Sequence, residues 1–214
     1  MITMTKHNTS KQLNSEQQAI ILEAVRRAEA GTSGEIVPML VADSDDYREA
    51  AMRAALILAA SLSLAVALAV NDTTIWLFIP LTTTLYFPLQ ALVRRLPALK
   101  LAFTPAAHVQ DAVRRRAVSA FYERGLQRTR DENGILIFIS LLEHKVWILG
   151  DRGINKVIPP ERWTALASGL ATGIREGLLV ETLATTISEV GDILKKHFPH
   201  RKDDSNELPD LLEE

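Results

Sequence analysis

Apolar residues recur along this chain with different rhythms, and each rhythm predicts a different kind of element. Ile20, Ile21, Ala24, Val25 and Ala28 fall on one helical face, behind a capping pattern at Ser15-Glu16-Gln17-Gln18 and ahead of a stop at Gly31. The run Glu35-Ile36-Val37-Pro38-Met39-Leu40-Val41 reads as a buried strand, with Pro38 pointing to an edge or a bulge because proline cannot donate to a ladder. Ile135 to Leu141 is the strongest strand signal. Leu142-Glu143-His144 turns it into Lys145-Val146-Trp147-Ile148-Leu149, an antiparallel hairpin broken by Gly150-Asp151-Arg152-Gly153.

Between these segments lie two runs of another kind. Ala54 to Val70 and Thr73 to Val93 contain no charged residue. At about 1.5 Å per helical residue each approaches the ~30 Å of a hydrocarbon core. Two buried core helices would give the same pattern, but a chain of 214 residues has little protein with which to wrap helices that are apolar all round. The expectation is therefore a transmembrane helical hairpin.

After it, Arg94 to Phe103 mixes basic and apolar positions as a headgroup-level segment does. Thr104 as N-cap and Pro105 at the first position open a helix with Val109, Val113, Ala117, Ala120 and Phe121 on one face. Its Arg114-Arg115-Arg116 run reads as a solvated, membrane-facing surface. Pro159-Pro160-Glu161 begins a helix carrying Trp163, Leu166, Leu170 and Ile174. A last helix carries Leu183, Ile187, Val190 and Leu194 and ends at Phe198-Pro199.

The predicted fold is an α/β sandwich, a parallel strand plus an antiparallel hairpin flanked by helices, interrupted by the transmembrane pair. The expected divisions are a disordered tail over 1–14, the first part of the α/β domain over 15–53, the hairpin over 54–93, the second part over 94–198 and an acidic tail over 199–214, expected to be disordered from Arg201 to Glu214. Strand one and the Ile135 strand would lie parallel, joined by a crossover into which the hairpin is inserted.

Charge adds orientation. Arg48 and Arg53 precede the first run, Arg94, Arg95 and Lys100 follow the second, and the connecting turn has Asp72 with no Lys or Arg. The positive-inside rule places both flanks, and with them both termini, in the cytoplasm of a multi-pass inner-membrane protein. The first 50 residues hold no apolar core of a signal peptide. A net charge of −2 argues against general nucleic-acid affinity. Without cysteine, disulfides, thiolate metal sites and cysteine nucleophiles are excluded.

The ordered set Thr32-Ser33-Gly34-Glu35-Ile36-Val37, a helix ending near Arg128, Asn133-Gly134-Ile135-Leu136-Ile137 and Lys145 to Ile154 resembles the TPM domain family. That family is named for thylakoid, photosystem and acetylcholine-receptor-associated members and is also described as a phosphatase family. Ile158-Pro159-Pro160, Trp163 and Ile174-Arg175-Glu176-Gly177 fit the same pattern. The resemblance implies an α/β sandwich, with some members reported as acid phosphatases or metal-binding and others as accessory factors of membrane complexes. Many members present the domain outside the cytoplasm behind one anchor helix, whereas this chain resembles the membrane-hairpin variety.

If the strands pair as expected, Glu35, Asp131, Asn133 and Asp151 approach one another at one sheet edge. Carboxylates and an amide oxygen are ligand types for Ca²⁺ or Mg²⁺, and Arg152 could hold a phosphate beside such an ion. The same residues also suit turns and strand starts, so the set has a purely structural reading. A second acidic group, Asp43, Asp45 and Asp46, would meet Ser140, Glu143 and His144 at the opposite edge and reads mainly as a solvated linker. No metal-spaced histidine pair, phosphate loop or nucleophile elbow can be assembled. The leading functional expectation is an accessory or assembly factor whose spans sit in the lipid bilayer and whose cytoplasmic domain binds a protein partner. Small residues at Ala59, Ala60, Ser61, Ser63, Ala65, Ala67 and Ala69 supply close-packing helix faces, including for a homo-oligomer. The alternative is a metal-dependent phosphatase acting on phosphate esters.

Overall fold

The first helix, α1 (Ser15–Glu29), starts where a side chain can satisfy its orphan amides. Asn14, not Ser15, is that cap: its Oδ1 accepts from Gln17 N at 2.7 Å, and Gln17 Oε1 accepts in return from Asn14 N at 3.0 Å. The predicted capping box is thus present one residue earlier. The computed structural model describes residues 13–71, 74–200 and 208–213, so the tail expected over 1–14 lies almost wholly outside the described residues. The remaining elements are β1 (Glu35–Val41), α2 (Arg48–Ala69), α3 (Ile75–Arg94), α4 (Pro97–Ala102), α5 (Ala106–Glu123), β2 (Gly134–Ser140), β3 (Lys145–Gly150), α6 (Arg152–Asn155), α7 (Pro160–Arg175), α8 (Leu179–His197) and β4 (Leu212–Glu213).

The chain divides into two compact units, 1–44 with 113–214, and 45–112. The first holds a mixed sheet in the order β3-β2-β1-β4. β1 and β2 are parallel in the register Glu35↔Gly134 to Val41↔Ser140, and β2 and β3 are antiparallel from Ile135↔Gly150 to Ser140↔Lys145. Both pairings are those the sequence predicts, and the sheet with its flanking helices is an α/β fold.

Alternation along the strands divides the core in two, because successive side chains point to opposite faces. Ile36, Leu40, Ile135, Ile137, Ile139, Val146 and Ile148 pack with α1, α7 and α8 through Ile21, Val25, Leu170, Leu183, Ile187 and Leu194. Val37, Met39, Val41, Leu136 and Phe138 pack on the other face with Val113, Ala117, Ala120 and Phe121 of α5. Most of these are at or near complete burial, and each side chain larger than alanine contributes about 1.5–3 kcal/mol relative to exposure. β1 and β2 are buried along their whole length, as parallel strands covered on both faces must be.

Pro38 sits in this buried strand without a break, and the ladder explains how. Glu35 N donates to Asn133 O and Val41 O accepts from Leu141 N, so the odd residues of β1 turn their backbone groups to the β2 side. Ile36, Pro38 and Leu40 then face the opposite edge. There the Ile36 amide donates to Glu29 Oε1 at 2.8 Å, proline has no amide to satisfy, and β4 begins opposite Met39 and Leu40. The missing donor falls on the one side where no donor is needed. This strand corrects one expectation: the acidic C-terminal segment was predicted to be disordered, yet Leu212 and Glu213 pair in parallel with Met39 and Leu40.

In the second unit, α2 begins at Arg48, ahead of its uncharged run, and α3 ends at Arg94. Both are long and apolar enough to cross a membrane. α2 buries Ala51, Ala55, Ala59, Ser63 and Ala67, a row at i, i+4 spacing that lets a neighbouring backbone approach closely. α3 presents Leu77, Leu81, Leu85, Leu89 and Val93 at the same spacing as its more buried row, so ridges of one helix meet the small-residue groove of the other. The predicted small-residue faces are therefore split: Ala59, Ser63 and Ala67 are consumed inside the hairpin, while Ser61, Ala65 and Ala69 remain exposed. Beyond α3, Thr104 does not cap the next helix; its hydroxyl donates to Lys100 O at 2.8 Å, closing α4.

Replacing Glu29 with alanine leaves the Ile36 amide unpaired at a buried edge and should cost about 1–3 kcal/mol of unfolding free energy. Glu29→Gln keeps an accepting oxygen and should recover most of that loss in chemical denaturation. Equal losses for the two variants would place the effect elsewhere.

Candidate functional site

The N-terminal ends of β1 and β2 and the C-terminal end of β3 meet at one end of the sheet, where a set of turns is drawn together by backbone hydrogen bonds. Thr32-Ser33-Gly34 is fastened to the end of α8: Ser33 N donates to Phe198 O at 3.0 Å, and the Thr32 hydroxyl donates to the same carbonyl at 2.5 Å. Asn133 closes the set. Its side-chain amide donates to Ser33 O and its backbone N donates to Thr129 Oγ1 at 3.1 Å. Asp151 N donates to Gly134 O at 2.9 Å, and Gly153 N to Glu132 O at 3.0 Å. Glycine is required by close approach here: a Cβ on Gly134 would stand 2.7 Å from Leu126 O, and one on Gly153 would stand 2.6 Å from Glu132 O and 2.9 Å from Asp131 O.

Glu35, Asp131, Asn133 and Asp151 do come to this end of the sheet, as the pairing predicts, but they serve different purposes. Asn133 is 4% exposed and its amide is spent on the Ser33 turn. Glu35 is also buried, and both it and Asp131 are already engaged. Asp151 caps the short helix α6, its Oδ1 accepting from Arg152 N at 2.7 Å. Among the described residues no group of three acidic, histidine or cysteine side chains is placed to hold a metal ion.

Beside these turns, a cleft of about 560 Å³ opens between the end of β3 and α5, lined on its apolar side by Val118, Phe121, Tyr122 and Leu149 and on its polar side by Gln127, Glu132, Asp151, Arg152 and Asn155. Two acceptors in its wall, Asp151 Oδ2 and Gln127 Oε1, are buried and have no hydrogen-bond partner. Buried oxygens are rarely left so, and both would be satisfied by a donor or a cation entering the cleft. At the rim, Arg152 and Lys156 stand 3.8 and 3.9 Å from Glu132. All three side chains are largely exposed, so these pairs bind weakly. Arg152, the expected phosphate holder, thus belongs to the cleft wall but leans on Glu132. Asn155 completes the wall, its amide donating to Gly150 O at 2.5 Å.

Gln127, Glu132, Tyr122 and Asn155 were not singled out from the sequence. Asn155 carried a signal, standing one helical turn beyond Asp151, and Tyr122 follows Phe121 on the predicted helix; Gln127 and Glu132 arrive through the connection after α5, whose path the sequence does not reveal.

The opposite end of the sheet differs from expectation. Ser44 meets the β2–β3 turn: Ser44 N donates to Glu143 Oε1 at 2.9 Å, Ser140 Oγ donates to Glu143 Oε2 at 2.5 Å, and the two serine hydroxyls are 2.7 Å apart. Glu143 and Ser140 are buried, so with Ser44 they form a closed structural network, while Asp43 and Asp46 beside it are exposed. Within the second unit, Asp45 lies 3.7 Å from His108, and Asp46 pairs with Arg48 at 3.0 Å. In the arginine run, Arg114 lies 6.0 Å from the Trp147 ring centre and Arg116 reaches Glu123 at 3.5 Å.

Gly153→Ala should force the Glu132 and Asp131 carbonyls apart and cost about 1–3 kcal/mol, read as a lowered midpoint in thermal unfolding. An unchanged midpoint would show that the loop yields freely.

Residues 100–193 match the family model of the TPM domain. The structure is similar to the NMR structure of the BA42 protein from the psychrophilic bacterium Bizionia argentinensis sp. nov., with a TM-score of 0.60 and 22% identity over 96% of this chain and 98% of that one. At that identity the likeness is one of fold. No curated protein matches the chain. The family match begins in α4 and runs through the β2–β3 hairpin and α7 into α8, which takes in the Asn133-Gly134 and Gly150-Asp151-Arg152-Gly153 turns: over residues 100–193 this chain is similar to the TPM domain.

Proposed function

We propose that the protein is a membrane-anchored binding factor, in which α2 and α3 span the bilayer and the TPM domain engages a protein partner on the cytoplasmic side. The observation that carries the anchoring is where the apolar side chains of the second unit go. A core helix of a soluble protein is mostly buried, yet none of the most apolar stretch of α3 is, and only a third of that of α2. Leu56, Ile57, Leu64, Leu68, Ile75, Ile79 and Phe87 are more than half exposed, and Trp76 beside the turn is 87% exposed. So large an apolar surface favours lipid over water. Trp76 suits the far interface, and Arg48, Arg53, Arg94, Arg95 and Lys100 gather at the other end of the same two helices, the arrangement that keeps basic flanks in the cytoplasm.

For a divalent cation the chain offers less. Ca²⁺ takes about 6–8 oxygens, whereas the cleft supplies Asp151 Oδ2 and Gln127 Oε1 as buried oxygens without partners. An ion there keeps most of its shell as water and binds weakly. The alternative of a metal-dependent phosphatase is not better supported, since Arg152 is exposed and already paired with Glu132.

The chain should stay with the membrane pellet through alkaline carbonate extraction. A reporter active only outside the cytoplasm should be active when inserted at Asn71 and silent at the C-terminus. Release of the chain, or a C-terminus outside the cytoplasm, would end the anchoring or the topology respectively. A stoichiometric partner co-purifying from native membranes is the expected sign of the binding role. Calorimetric titration with CaCl₂ should show affinity no tighter than about the millimolar range, lost in Asp151→Asn, which keeps the helix cap. Tight binding indifferent to that substitution would put the ion elsewhere.

A further inference from the structure

The edge of β1 away from β2 is guarded in an unusual way. Its amide at Ile36 is taken by Glu29 and Pro38 has none, so between Glu35 and Val41 the strand offers this edge a single free donor, Leu40 N. The C-terminal segment 208–213 lies along that short opening, pairing only at Met39↔Leu212 and Leu40↔Glu213. Its leucines straddle the sheet: Leu211 packs with the α1–α8 core, Leu208 and Leu212 with the α5 core. Its acidic residues meet α1, with Asp210 3.4 Å from Arg26 and Glu213 Oε1 accepting from Gln18 at 3.0 Å.

We propose that this edge is a docking slot for an extended acidic–leucine segment, and that residues 208–213 of the chain are its exchangeable occupant. A two-residue ladder, leucines only partly buried, and an ion pair joining a mostly buried Asp210 to an Arg26 side chain that is 68% exposed make a short attachment, favoured because the segment is tethered and its effective concentration is high. Everything the slot recognises is generic to strand addition: one main-chain donor with its neighbouring carbonyls, apolar pockets on alternate faces, and a cation for an acidic side chain. The partner it fits is an extended strand with a leucine doublet and flanking acids. The slot is built by β1, α1 and the two cores of the first unit, so this inference stands or falls independently of the membrane anchor and the cleft.

The test uses the full chain and a version ending at residue 207, with a fluorescent peptide spanning 206–214. The peptide should bind the shortened chain saturably and the full chain at least about tenfold more weakly, and a peptide with Leu212→Ala should lose about tenfold. In the full chain, Leu212→Pro should speed hydrogen exchange at the Leu40 amide, since the opposing strand loses its own donor and its register. Equal binding to both chains, no binding to a folded shortened chain, or a Leu40 amide indifferent to Leu212→Pro would overturn the proposal. A shortened chain that no longer folds would also overturn it, because the segment would then be a fixed part of the core.

Discussion

Parallel pairing of β1 with β2 is the constraint on which the rest of this chain depends. Two strands running in the same direction cannot be joined by a tight turn, so a long connection must leave from Val41 and return to Gly134. In this chain that connection contains the whole of the second unit. The register aligns Glu35 with Gly134 and so fixes which turns share an end of the sheet. Thr32-Ser33-Gly34, Asn133-Gly134 and Gly150-Asp151 are neighbours for that reason alone, and the cleft beside them is a by-product of how tightly they close.

Polar satisfaction then shapes both ends and the edge. At one end the Asn133 amide and the Thr32 hydroxyl stitch turns to one another and to the end of α8; at the other, Glu143 takes the Ser44 amide and the Ser140 hydroxyl out of solvent's reach. At the β1 edge, Glu29 and Pro38 leave so little to pair with that only a short strand can dock, one way for a sheet to avoid indiscriminate edge pairing. Against this background the two unpartnered oxygens of the cleft stand out among the turns at this end of the sheet.

The second unit follows a different rule. Its helices meet through a row of alanines and a serine, and its large side chains point outward. That is the inverse of a soluble core, and it is the pattern on which the proposed membrane anchoring rests. Pro80 and Pro88 within α3 are more easily accommodated in such a setting than in an isolated helix in water.

The sequence by itself determined the long helices, the three strands β1 to β3, their order and their pairing directions, because side-chain periodicity is a local property and a strand buried on both faces leaves a continuous apolar run. It also placed Asn133, Asp151 and Glu35 at one end of that sheet, since pairing direction fixes which strand ends coincide. Tertiary structure alone decided what those residues do. Asn133 spends its amide on Ser33, a residue 100 positions away, Gln127 reaches the cleft through a connection with no periodic signal, and Leu212 finds β1 although its surroundings are acidic. Each of these depends on which backbone groups are left unsatisfied once the sheet has formed, a property that no single segment of the sequence contains.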